Sequence, residues 1–122
     1  MEIYKFILEN GNLVIINSLD NSVIWQGKPN NSIVKQIVEL PEMEMCIVLL
    51  DPDQRKGTFR NLIAMDTNGY ILWKAELPDP LGGDVYLDVS LQDDFLVAHS
   101  WSGFKVIIDT KSGRILSKKF TK

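Results

Sequence analysis

The chain has one cysteine and one histidine in 122 residues. Cys46 has no partner within the chain, so no disulfide can staple the fold, and its place inside the apolar run Met45–Leu50 reads as a buried, reduced thiol. His99 stands alone, and a catalytic dyad or a metal site built on histidine needs partners it does not have, so within Leu96-Val97-Ala98-His99 it reads as structural. No apolar run approaches the roughly 20 residues of a membrane span. Met1-Glu2-Ile3-Tyr4-Lys5 lacks the basic segment and long apolar stretch of a signal peptide, so a cytoplasmic protein with no membrane contact is expected. Helical periodicity is missing as well.

What is present is strand. An apolar fraction of 45% and a length of 122 residues suit one all-β domain, 1–122, with a real core. Asn61 to Trp73 sets the pattern: an apolar run, Asp66, Asn68-Gly69, then a second apolar run. Asn-Gly between apolar runs predicts a type I′ hairpin, with Met65 facing Leu72 and Ala64 facing Trp73 so that the indole lies over its partner strand. Similar runs at 3–8, 12–16, 22–26, 33–40, 45–50, 85–91, 95–100, 104–108 and 114–120 bring the expectation to about eleven strands joined by short antiparallel turns. Pro78 to Gly83 is the clearest linker.

The hairpins repeat. Aligning Asn17 with Asp109 sets Ile3 on Phe95, Gly11 on Gly103, Ile15 on Ile107, Asn21 on Gly113 and Trp25 on Ser117 without a gap. The loop from Asp109 to Gly113 suits a type I turn closed by a left-handed glycine, and Asn21 is an acceptable stand-in there. With Asp66 as the middle copy, the units are about 3–27, 32–76 and 84–120. Periods of this size with four short strands each predict β-propeller-like blades, the alternative being a single β-sandwich. One unit lacks its first strand. Fewer than three full blades form an open arc, so two chains assemble or a partner covers an exposed face. Lys118 and Lys119 guard the last strand, whereas the 3–8 edge has only Lys5.

The blade-closing residues resemble the quinoprotein alcohol dehydrogenase-like propellers, whose pattern is Ala-x-Asp-x-x-Thr-Gly-Lys-x-x-Trp. Ala64, Asp66, Gly69 and Trp73 match it one residue short. Asp109 and Gly113 match it with Ser117 in place of Trp, and Trp25 is kept where Asn17 replaces Asp. The resemblance implies structural roles for Trp25, Ala64, Asp66, Gly69, Trp73, Asp109 and Gly113. No quinone or calcium ligand is matched, so no cofactor is expected. The WD-repeat pattern fits less well.

Charge is uneven. Six acids and no Lys or Arg lie between Ala75 and Phe104, and five acids with none lie between Gln36 and Gln54. Nucleic acid is therefore an unsuitable partner. Asp51-Pro52-Asp53 superficially resembles a calcium loop, but Arg55 and Lys56 would compete with the ion, so no metal is expected. Gly82-Gly83 lacks the lysine and helix of a phosphate cradle. Asp93-Asp94 point apart in a tight turn, so paired catalytic acids are not expected. If Val85, Leu87, Val89 and Leu91 face inward, Asp84, Tyr86, Asp88 and Ser90 share an acidic outer face, rimmed by Asp93, Asp94 and Trp101. These residues are the candidate site for a protein partner. A small, acidic, non-catalytic chain resembles bacterial toxin-immunity proteins in size and charge, which implies a basic toxin domain, for instance a nuclease, as the partner. The alternatives are a small-molecule-binding or degenerate hydrolytic propeller fragment, a homodimer, and a subunit that completes a larger propeller.

Overall fold

A computed structural model describes residues 3–52 and 59–121, so Arg55, Lys56 and most of the 51–57 loop lie outside the described residues. Among the described residues, eleven strands form three antiparallel sheets arranged as propeller-like blades in an open arc. The first blade holds β1 (Tyr4–Glu9), β2 (Asn12–Asn17) and β3 (Ser22–Gly27). The second holds β4 (Val34–Leu40), β5 (Met45–Leu50), β6 (Leu62–Asp66) and β7 (Ile71–Lys74). The third holds β8 (Tyr86–Gln92), β9 (Phe95–Ser100), β10 (Phe104–Ile108) and β11 (Ile115–Phe120).

Alternation along each strand divides the core into two layers. Phe6, Leu13 and Ile15 of the first blade meet Cys46, Val48, Ile63 and Met65 of the second. Ile47, Leu49, Leu62 and Ala64 point the other way and meet Tyr86, Ala98, Val106 and Ile108 of the third. The second blade is thus covered on both faces, which is why all six residues of β5 are apolar and buried. Burial and, secondarily, the nearby Glu39 charge push the Cys46 thiol well above its ordinary range, so it stays protonated.

The three copies share one irregularity. A bulge follows the pairs Ile15↔Trp25, Ala64↔Trp73 and Ile107↔Ser117, so the repeat is legible in backbone register as well as in sequence. Each copy opens its turn with a side-chain oxygen: Asn17 Oδ1 accepts from Leu19 N, Asp66 Oδ1 from Asn68 N and Asp109 Oδ1 from Lys111 N. Three details of the sequence reading change. The bulge makes Met65 face Ile71, and Gly69 has φ 88 while Asn68 does not enter the left-handed region, so this turn is not type I′. The two-residue loops with positive φ at both positions are Asn10-Gly11 and Asp93-Asp94. Phe6 pairs with Ile15 while Val97 pairs with Ile107, so ahead of Gly11 and Gly103 the copies are offset by one residue.

The indoles reach beyond their own hairpins. A Cβ on Gly69 would lie 2.4 Å from the Trp25 ring, and one on Gly113 would lie 2.5 Å from the Trp73 ring. Each Trp therefore lies on the turn glycine of the following blade, and Trp73 Nε1 also donates to Thr110 O at 2.9 Å. Only glycine combines the needed positive φ with room for the ring. The outer flanks lack this contact, because Asn21 replaces the glycine in the first copy and Ser117 replaces the Trp in the third.

The Asp109 turn makes stability respond to pH. The Lys111 amide and then the Ser112 hydroxyl hold the exposed Asp109 carboxyl below its ordinary range. A depressed folded value contributes stability above the unfolded value, about 3.9, which is lost as pH falls through the folded one. Asp109→Asn should therefore flatten the acid limb of the melting temperature against pH. Superimposable profiles for the two proteins would contradict this role.

Candidate partner-binding cleft

The six residues expected to form one acidic face are dispersed by the fold. Asp84 is 1% exposed. Its carboxylate accepts from Ser102 N at 3.0 Å, Ser102 Oγ at 2.7 Å and Val85 N at 3.0 Å, so it closes a loop and is not a surface charge. Tyr86 is fully buried, with Asn61 bonded to its backbone on both sides. Burial, then the Asp84 and Glu76 charges, push its phenol far above the ordinary value. The cause is a bulge between Tyr86 and Asp88, which turns Tyr86 and Val89 inward and leaves Leu87 and Leu91 exposed. Asp88 remains exposed and meets His99 Nδ1 at 2.7 Å, so the histidine has a carboxylate neighbour on the outer face of the third blade. Trp101 is 61% exposed at the β9–β10 turn, the opposite end of the blade from Asp93 and Asp94.

Asp94 instead joins a different set. A cleft of about 870 Å³ opens where the strand ends of the three blades converge. Glu39, Glu42, Glu44 and Asp94 supply carboxylates, and Tyr4 and Phe6 of β1 form its far wall. None of the described residues lining it is Lys, Arg or His. The β4–β5 turn shapes the acidic side. Pro41 starts a single 3-10 turn with its fixed φ, Glu44 N donates back to Pro41 O at 3.0 Å, and Glu44 adopts φ 52. A non-glycine residue held left-handed is a conformation the surroundings must enforce, and here it keeps Glu42 and Glu44 at the rim. Glu39 lies on the first-blade side of β4, opposite Cys46. The sequence signal for these three was the base-free run from Gln36 to Gln54, broken by Pro41. Asp53 of that run lies outside the described residues.

This arrangement suits binding of a cationic group against an apolar wall. Like carboxylates gathered on one rim raise the local negative potential, and the cleft geometry focuses it. No curated protein sequence matches the chain. A family model described as a domain of unknown function, DUF7957, matches residues 30–120. The chain belongs to this family. The match takes in the acidic turn and the second and third blades. Among solved structures, the computationally designed Ika8 protein superimposes with a TM-score of 0.64 at 12% identity, over 98% of this chain and 33% of that one. BamB from Moraxella catarrhalis gives 0.60 at 16%, over 97% and 35%. The β-propeller domain of Cps50 (Swd1) from Myceliophteria thermophila gives 0.63 at 12%, over 98% and 40%. At these identities the likeness is one of fold: the chain is propeller-like and spans 33% to 40% of those three structures. Propeller-like scaffolds often mediate protein interactions. Among the described residues no helix is long and apolar enough to cross a membrane.

Proposed function

We propose that the chain is a non-enzymatic protein-binding module that docks a basic protein in the cleft, and that it acts as an immunity-type inhibitor of a toxin domain. The cleft, with four acidic residues and, among the described residues, no lining Lys, Arg or His, carries this reading. A catalytic or nucleic-acid-binding groove rich in Lys and Arg, such as that of a nuclease, has the complementary charge, and occupying it would block substrate. The toxin partner rests on the likeness in size and net charge, −3, to immunity proteins.

The test is affinity capture from the source cells at low and high salt, with the wild-type chain and with Glu39→Gln, Glu42→Gln, Glu44→Gln and Asp94→Asn combined. The expected result is one basic protein, retained at low salt, lost by the variant, and inhibited when the purified chain is added to its assay. Equal capture by both proteins, or a captured protein whose activity the chain leaves unchanged, would overturn the reading.

A further inference from the structure

The register of the blades identifies which strand the first one lacks. The shared bulge makes β3, β7 and β11 equivalent, and likewise β2, β6 and β10, so β1 corresponds to β5 and β9. In the other blades these are flanked by β4 and β8, the innermost strands. The first blade has no counterpart, and among the described residues no strand pairs with the inner edge of β1. A row of unpaired backbone groups is a template for another strand. Here the row lies beside the cleft, with Tyr4 and Phe6 in its wall.

The β4–β8 contact shows what such a strand does for its neighbour. Lys35 Nζ donates to Leu87 O at 3.2 Å, and Gln36 Oε1 accepts from Val89 N at 3.2 Å. β4 and β8 both carry a bulge at the equivalent place, between Val34 and Gln36 and between Tyr86 and Asp88. By that register, Lys35 and Ile37 of β4 stand where Leu87 and Val89 stand in β8. Ile37 faces the side where the first blade has no inner strand, whereas the Lys35 ammonium reaches the third blade. Ile37 is half-buried there, and Glu39 follows it on the same face.

We infer that the partner completes the first blade by donating an extended segment, which pairs antiparallel with β1 and directs a long basic side chain to Glu39, Glu42 and Glu44. This rests on the binding role proposed above and specifies its form as strand addition. An apolar residue of the segment covers the half-buried Ile37, and a Lys or Arg beyond it meets the carboxylates. The orientation follows from β4 and β8, which run antiparallel to β5 and β9.

The probe is a synthetic peptide copying residues 32–40 with the change Glu39→Lys, titrated into the isotopically labelled whole chain and followed by amide NMR and hydrogen exchange. Shifts and new protection should be confined to the β1 amides and the 37–44 segment. A second peptide with the native Glu39 should bind about tenfold more weakly at low salt, and the difference should shrink as salt rises. No binding, equal binding of the two peptides, protection at the outer edges of β3, β7 or β11, or self-association of the chain through β1 would each overturn strand addition. Charge-dependent capture of the whole partner without β1 protection would overturn it while leaving the binding role intact.

Discussion

Trp73→Ala should lower the unfolding free energy by about 3 kcal/mol, the scale of large aromatic truncations. Gly113→Ala should cost about 2 kcal/mol, because its φ of 78 disfavours a side chain and the new methyl would lie 2.5 Å from the Trp73 ring. The two changes describe one contact, so the double variant should be less destabilised than the sum by about 1 kcal/mol or more. In the Trp73→Ala background only the backbone strain at Gly113 remains. Urea melts of the four proteins measure this. A loss under ~1 kcal/mol for Trp73→Ala, or strict additivity, would mean that the indole does not join the second blade to the third.

Asp84→Ala should be the most damaging change among Asp84, Asp88, Asp93, Asp94 and Trp101. Removing the carboxylate leaves the Ser102 amide and hydroxyl and the Val85 amide without their acceptor inside a closed site, at about 3 kcal/mol. Asp84→Asn keeps an oxygen for one amide and should cost about half as much. Denaturant midpoints at neutral pH separate these cases. A change of under ~0.5 kcal/mol for Asp84→Ala would place the side chain back on the surface.

Much of the architecture was legible because hairpin chemistry is local. Turn residues, Asp or Asn at the turn start and alternating apolar runs marked eleven strands and three units, and one unit was read as short of its first strand. The site was not legible to the same degree, because a single bulge reverses which side chains face out. The strict alternation from Val85 to Leu91 predicted Tyr86 outward, and the extra residue at Leu87 turned it into the core. In the same way, the Ala64–Trp73 pair was readable, but the added contact of the ring with Gly113 was not, since that glycine is supplied by another blade. Glu39, Glu42 and Glu44 were visible as a base-free run. Their convergence with Asp94 and Phe6 depends on how the blades stack, which no local pattern encodes.

The most direct test of the cleft is the association rate of the purified partner, measured by stopped flow at low salt against two variants of equal charge. One removes Glu39, Glu42, Glu44 and Asp94 as above, and the other carries Glu9→Gln, Asp20→Asn, Asp88→Asn and Asp93→Asn. If the cleft is the docking surface, the first variant should associate about tenfold more slowly and the second within about twofold of wild type. Equal slowing of both would mean that net charge, and not the cleft, attracts the partner.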